Sequence, residues 1–136
     1  MFLLDTNVVS ELRKGERANA GLRAWLRPID DADLHLSVLV AGELRRGVES
    51  IRLRDSAQAL RLDRWLTALL DAYEARLLPV DARVADAWGR MNVPDPISPV
   101  DGLLAATALV HDLTLVTRNT KHVSRTGARL LNPFSR

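Results

Sequence analysis

Short apolar segments alternate with longer amphipathic segments along the whole of this 136-residue chain. The apolar segments are typical of buried strands, and the segments between them have the periodicity of helices. Strands that alternate with helices build a parallel sheet with helices packed against it. The sequence therefore predicts an α/β fold, a small parallel sheet of four to five strands flanked by helices, in a single domain covering residues 1–136. The predicted strands lie near residues 2–4, 34–36, 77–80, 113–117 and 129–131.

Local signals give the approximate bounds of the helices. Ser37 and Ser98 are residues favoured at a helix N-cap, and Pro99 and Asp101 are typical of a first turn. Gly15 is expected to end the first helix. The predicted helices cover about residues 8–14, 20–26, 37–51, 55–76, 82–91 and 98–111.

Composition limits the functions that this chain can have. It contains no cysteine, so any metal ion must be held by oxygen or imidazole ligands. The net charge is only +2, but seventeen of the nineteen basic residues are arginine, whose planar guanidinium suits phosphate. A GC-rich genome gives the same arginine bias. No apolar run is long enough to span a membrane and no basic leader opens the chain, so we expect a cytoplasmic protein.

Four residues are candidates for chemistry because of where they stand. Asp5 follows the first strand, Glu43 lies in the otherwise apolar and small stretch of residues 38–44, Asp101 opens a helix, and Asn119 follows the last long strand. The carboxyl ends of parallel strands form the functional edge of such a sheet. Carboxylates gathered there can bind hard divalent cations, and two such ions can assist hydrolysis of a phosphodiester.

Each candidate also has a purely structural interpretation. Asp5 or Thr6 can cap the following helix, and Asp101 stands where a capping acid belongs. Glu43 borders the apolar face of its helix, where an unpaired carboxylate is costly, and it can pair with Arg46 instead. Only the combination of these residues favours a catalytic site.

Five stretches together resemble the PIN domain, and within it the VapC and FitB-like toxins of prokaryotic toxin–antitoxin modules. The stretches occur in the order and at the spacing of that family and span almost the whole chain. They are residues 4–8 (LDTNV), 37–47 (SVLVAGELRRG), 101–107 (DGLLAAT), 115–119 (LVTRN) and 131–134 (LNPF). The resemblance implies a PIN-like three-layer fold, which agrees with the predicted pattern of strands and helices.

The same resemblance implies which residues form the active site. Asp5, Glu43 and Asp101 would be the carboxylates that bind Mg²⁺, with Mn²⁺ as a substitute. The fourth acidic position of the family falls on Asn119, which supplies no negative charge, so a second metal site should be weaker. His122 lies three residues further on, where some relatives carry another acid.

Three further polar residues are candidates for supporting roles. Thr6 and Thr117 match polar positions that often support the metal ligands of the family. Arg118 is expected to steer the phosphate backbone, or to be an ordinary surface residue.

The function implied by the resemblance is a Mg²⁺-dependent endoribonuclease that hydrolyses RNA phosphodiesters with a metal-activated water. It would be the toxin of a VapBC-type module, with a homodimeric state and a cognate VapB-like antitoxin as partner. One alternative is a PIN-like nucleic-acid-binding module without catalysis, which Asn119 favours. Another is a phosphatase of the haloacid dehalogenase type, which needs an aspartate where this chain has Asn7.

Overall fold

A five-stranded parallel sheet forms the centre of the computed structural model, which describes residues 1–135. The order of the strands across the sheet is β3-β2-β1-β4-β5, and every neighbouring pair is parallel. The α/β fold and the small parallel sheet are therefore as predicted. The strands are β1 (Phe2–Leu4), β2 (Leu34–Ser37), β3 (Leu77–Leu78), β4 (Thr114–Val116) and β5 (Arg129–Leu131).

Six α-helices flank the sheet. Among the first four helices, the first contacts the second and the third, and the third contacts the fourth. The fifth and sixth helices pack against each other. Right-handed connections between parallel strands then put the first four helices on one face and the last two on the other. The helices are α1 (Thr6–Leu12), α2 (Ala20–Leu26), α3 (Val38–Arg52), α4 (Ser56–Ala72), α5 (Ala82–Met91) and α6 (Pro99–Val110). Within residues 1–135 none of them has the length and hydropathy of a membrane span.

The strand order places the functional edge between β1 and β4. Leu3 pairs with Leu115 and Leu4 with Val116, and all four side chains are buried. From β1 the chain first builds the sheet outward through β2 and β3, and then returns to add β4 and β5 on the other side. Such a reversal leaves a crevice at the carboxyl ends of the two central strands, where ligands bind in open α/β sheets.

The long helix predicted over residues 55–76 is shorter in the structure, and this part of the prediction was wrong. Helix α4 ends at Ala72, and residues 74–76 form a separate 3₁₀ turn. Arg76 explains the break, since its guanidinium donates hydrogen bonds to the carbonyls of Asp31 and Leu34 (2.8 Å to Leu34). The same guanidinium lies 4.3 Å from the centre of the Tyr73 ring. A tertiary contact with the start of β2 therefore ends the helix. The hydrophobic periodicity of the sequence does not predict this contact.

Candidate active site

Asp5 lies at the carboxyl end of β1, where the strand turns into α1. Its backbone N–H still donates to the Val116 carbonyl of β4 (3.0 Å), and its side chain is buried. Oδ1 accepts a hydrogen bond from the Thr6 backbone N–H (2.6 Å), and Oδ2 accepts one from the Thr117 hydroxyl (2.7 Å). Asp5 is the N-cap residue of α1, so this helix begins at residue 6 and not at residue 8 as predicted. Asp5 therefore both caps α1 and lies at the functional edge of the sheet.

Asp101 lies close enough to Asp5 for their negative charges to interact. Burial raises the pKa of Asp5 above its ordinary value, and the charge of Asp101 adds to the rise. Hydrogen bonds from Thr117, Thr6 and Asn7 oppose it without cancelling it. Two carboxylates far apart in the sequence therefore interact at this edge of the sheet, and their mutual repulsion favours a bound cation.

The first turn of α6 departs from the predicted capping arrangement. Ser98 is at the N-cap position, but in the described chain its side chain makes no capping hydrogen bond. The turn is closed instead by the Gly102 backbone N–H, which donates to the Ser98 carbonyl (2.8 Å). Within residues 1–135 the Asp101 carboxylate accepts no hydrogen bond, and its nearest basic atom is Nδ1 of His122 at 3.8 Å. The structure therefore leaves the Asp101 oxygens available to a ligand.

Glu43 points from α3 towards the start of α1. The Thr6 hydroxyl donates a hydrogen bond to Glu43 Oε1 (2.5 Å), which joins two residues 37 positions apart. The alternative pairing with Arg46 is absent from the part of the chain that the structure describes. Because Thr6 also donates its backbone N–H to Asp5, this one threonine connects the Asp5 and Glu43 carboxylates.

The turn after β4 brings the predicted polar residues to the same edge. Thr117 is buried and donates to Asp5, and its hydroxyl oxygen accepts the backbone N–H of Asn119 (3.0 Å). Arg118 and Asn119 are exposed. In residues 1–135 the Asn119 side chain makes no hydrogen bond, so the missing negative charge at this position does not disturb the contacts of Asp5 and Thr117.

Asn7 belongs to the site although the sequence analysis gave it no role there. Its amide Nδ2 donates weakly to Asp5 Oδ2 (3.4 Å) and to Thr117 Oγ1 (3.3 Å), and its Oδ1 accepts the Arg118 backbone N–H (3.2 Å). The side chain thus bridges the ends of β1 and β4. The available signal was the polar run directly after the first strand, but its partner Thr117 lies 110 residues away in the sequence.

The donor atoms of this crevice suit a hard divalent cation. Asp5, Asp101 and Glu43 offer only oxygen, the ligand that Mg²⁺ and Mn²⁺ prefer. Among residues 1–135 no three histidine, aspartate or glutamate side chains already converge as a metal-binding group. Asp5 and Glu43 are instead held by threonine donors, while Asp101 accepts no hydrogen bond in the described residues and has His122 Nδ1 at 3.8 Å. The residues present fit such an ion if the carboxylates turn towards it or reach it through water molecules.

Comparisons with known proteins agree with this fold. The family model of the PIN domain matches residues 2–128. The chain is 32% identical to toxin FitB of Neisseria gonorrhoeae, over 98% of this chain and 99% of the relative. It is 31% identical to VapC ribonuclease Y4jK of Sinorhizobium fredii, over 98% of each. The solved structure of FitAcB from Neisseria gonorrhoeae superposes with a TM-score of 0.85 at 33% identity, covering 98% of both chains. This chain belongs to the PIN domain family. Within that family its similarity is to the FitB and VapC toxins, as the sequence resemblance indicated.

Proposed function

We propose that this protein is the toxin of a VapBC-type toxin–antitoxin module and acts as a Mg²⁺-dependent endoribonuclease. The observation that carries the proposal is a linkage of three acids at the carboxyl edge of the sheet. Thr6 donates hydrogen bonds to both Asp5 and Glu43, and the charge of Asp101 acts on Asp5. Acidic side chains gathered in this way repel one another unless a cation or a proton joins them. Membership in the PIN domain family, and the toxin and ribonuclease names of its relatives, support the same function.

The residues of the crevice have two separate roles in the proposed reaction, metal binding and orientation of the metal ligands. Asp5, Asp101 and Glu43 would hold Mg²⁺, or Mn²⁺ in its place. A divalent ion bound there lowers the pKa of a coordinated water and offsets negative charge on the phosphoryl oxygens. Thr117 fixes one oxygen of Asp5, and Thr6 fixes Glu43, so that both carboxylates are oriented before substrate arrives.

Asn119 is placed to assist without carrying charge. Its backbone N–H is anchored on Thr117, and its exposed amide is free to orient a water or an RNA oxygen. The competing proposal, a PIN-like module that binds nucleic acid without cutting it, depends on this residue alone. The charge repulsion between Asp5 and Asp101 argues against that module, because without a cation it lowers the stability of the fold and gives no benefit to nucleic-acid binding.

The proposed partner is a VapB-like antitoxin. A groove of about 160 Å³ opens beside Glu43 and runs between α1, α3 and α4. Its lining is mostly apolar, with Thr6, Ser10, Arg13 and Glu43 as the polar members, so it can receive an amphipathic segment of another protein. We call this the α1–α3–α4 groove; it is lined by Thr6, Ser10, Arg13, Glu43, Leu44, Gly47, Val48, Ile51, Leu62 and Trp65. We further propose that the protein is a homodimer.

RNA cleavage is the experiment that tests the proposed activity. Purified protein free of antitoxin is mixed with a panel of labelled RNAs in Mg²⁺, in Mn²⁺ or in EDTA, beside the Asp101→Asn variant. We expect cleavage only with a divalent ion, and a rate at least about a hundredfold lower in the variant, a typical loss when one preorganised electrostatic contact is removed. Folded wild-type protein that binds RNA but never cuts it would support the binding module instead.

A further inference from the structure

The C-terminal residues after β5 pack against the region between α1 and α2. The Ser135 backbone N–H donates to Asn19 Oδ1 (2.9 Å), Asn19 Nδ2 donates to the Ser135 carbonyl (2.8 Å), and the Gly21 N–H donates to the Ser135 hydroxyl (3.0 Å). A Cβ atom at Gly21 would lie only 2.7 Å from the Pro133 carbonyl oxygen, so this close approach needs glycine. Residues 132–135, here named the C-terminal segment, are therefore fixed in place.

The C-terminal segment packs one aromatic ring against the side chain of Arg118. The Arg118 guanidinium carbon lies 4.0 Å from the centre of the half-buried Phe134 ring. The Phe134 backbone N–H donates to Asn132 Oδ1 (3.0 Å), and Asn132 Nδ2 donates to the Arg118 carbonyl (3.5 Å). A guanidinium in this position is attracted by the ring face and loses rotational freedom. Phe134 therefore orients the Arg118 side chain.

The main chain of Arg118 is fixed from the opposite side, by the active site itself. Its N–H donates to Asn7 Oδ1 (3.2 Å), and the hydroxyl of the preceding residue, Thr117, donates to Asp5 (2.7 Å). Arg118 is thus linked to Asn7 and Asp5 through the main chain, and to the C-terminal segment through its side chain.

The guanidinium of Arg118 keeps its donors for a ligand. Within residues 1–135 it takes part in no ion pair and donates no hydrogen bond, and the side chain is exposed. The hydrogen bond from Lys14 lowers the pKa of the Glu11 carboxyl, and the positive charge of Arg118 adds a smaller effect. Both oxygens of Glu11 are, however, already occupied by other donors. Oε1 accepts from Lys14 (3.0 Å), and Oε2 accepts from the Asn19 backbone N–H (2.9 Å).

We propose that Phe134 is a positioning residue, and that the Arg118 side chain it holds binds a phosphate of the RNA that is cleaved. This inference rests on the proposed ribonuclease function. A planar guanidinium with free N–H groups is suited to bidentate recognition of phosphate, and prior orientation reduces the entropy lost on binding. Its backbone is anchored on Asn7 at the edge where Asp5 lies, so the phosphate that it binds would belong to the RNA held at this edge.

The test measures RNA affinity separately from cleavage. A labelled single-stranded RNA of mixed sequence is titrated with protein carrying Asp101→Asn, which keeps the RNA intact, and binding is followed by fluorescence anisotropy. Phe134→Leu keeps apolar bulk but removes the aromatic face, Phe134→Trp keeps the face, and Arg118→Ala removes the cation. The matched control is Arg83→Ala, because Arg83 is exposed and lies beside Val110, at the end of α6 opposite to Asp101.

We expect Phe134→Leu and Arg118→Ala each to weaken RNA binding by about tenfold, with no further loss when they are combined. Each should also reduce the slope of log affinity against log salt concentration by about 0.7, the value for one phosphate contact on a single strand. Phe134→Trp and Arg83→Ala should bind like the parent protein. In the otherwise wild-type enzyme, the same changes should raise KM and leave kcat within about twofold.

Three results would overturn this inference while leaving the ribonuclease proposal intact. They are unchanged RNA affinity in Phe134→Leu, additive losses in the double variant, and an effect limited to kcat or to the melting temperature. Loss of antitoxin binding with unchanged RNA affinity would assign the stacked pair to the protein interface and would also overturn it. If the wild type binds RNA without cutting it and Phe134→Leu weakens that binding, the ribonuclease proposal fails and the phosphate contact stands.

Discussion

At the scale of single residues, Asp5 links the stability of the fold to its chemistry. Burial first, and then the charge of Asp101, raise the pKa of Asp5 in the folded protein. A carboxyl whose folded pKa lies above its unfolded value stabilises the fold only when it is protonated. Its contribution is complete below the unfolded pKa of about 4 and is lost as the pH rises through the folded pKa. At neutral pH the ionised Asp5 therefore lowers the free energy of unfolding.

Asp5→Asn should accordingly raise the melting temperature of the protein by a few degrees at pH 7 in EDTA. Asparagine removes the buried charge and keeps an N-cap residue of equal quality. The difference from wild type should shrink as the pH falls towards 4, where Asp5 becomes protonated. Thermal unfolding followed by circular dichroism between pH 4 and 8 measures this, and the variant should have lost RNA cleavage.

Asp81→Asn provides the matched control for that experiment. Asp81 is the N-cap residue of α5, its side chain accepts the Val84 N–H (3.0 Å), and it is exposed. The same chemical change there should leave the melting temperature unchanged. A melting temperature for Asp5→Asn that stays equal to, or falls below, the wild-type value at pH 7 would contradict the raised pKa of Asp5.

At the scale of elements, the position of Glu43 depends on how α3 packs against α4. An ion-pair network of four residues crosses this contact. Arg45 bonds Glu49 (3.0 Å) and Asp63 (2.7 Å), and Arg52 bonds the same two carboxylates (3.0 Å and 2.9 Å). The two guanidinium groups hold the pKa of Asp63 and the pKa of Glu49 below their ordinary values. The network therefore fixes α3 relative to α4 along the face next to the groove.

Asp63→Asn should lower the melting temperature slightly at pH 7, because the α4 end of the network loses its charge. A carboxyl group whose pKa is lowered in the folded protein stabilises the fold above its unfolded pKa of about 4. That stabilisation is lost as the pH falls through the folded pKa. Wild type and variant should therefore converge below about pH 3. Asp71→Asn, an exposed residue of α4 without an ion pair in the described chain, is the control. A difference between Asp63→Asn and wild type that persists at low pH would show that packing, and not charge, is responsible.

At the scale of the whole molecule, the α1–α3–α4 groove is continuous with the candidate active site, because Thr6 and Glu43 belong to both. Glu43 and Trp65 are both among the residues that line it. Gly47 lies one helical turn after Glu43 on α3, and a Cβ added there meets no atom within 4 Å. A larger side chain at Gly47 can therefore enter the groove without disturbing the fold.

Gly47→Gln should weaken the association with the cognate antitoxin and leave the protein folded. Glutamine favours a helix over glycine by roughly 0.5–1 kcal/mol, so the melting temperature should not fall. Isothermal titration with purified antitoxin measures the affinity. Gly89→Gln is the matched control, since Gly89 is an exposed glycine of α5 with equally open space around it. Equal antitoxin affinity in both variants would place the partner on another surface.

The sequence alone determined the features that depend on neighbouring residues. Strand and helix types follow from hydrophobic periodicity, and a helix start such as Ser37 follows from a side chain that bonds its own first turn. The α/β fold and the edge at which Asp5 and Thr117 meet follow from alternating strands and helices. The family motifs then indicated the carboxylates, whose catalytic roles remain predictions.

Only the tertiary structure decided which distant residues touch. The strand order that sets β1 beside β4 brings Asn7 to Thr117, and the return of the chain end to α2 brings Phe134 to Arg118. Glu43 meets Thr6 and not Arg46, although Arg46 is its neighbour on the same helix. Local propensities act over a few residues, whereas these contacts depend on how whole strands and helices are arranged, and hydrophobic periodicity does not specify that arrangement.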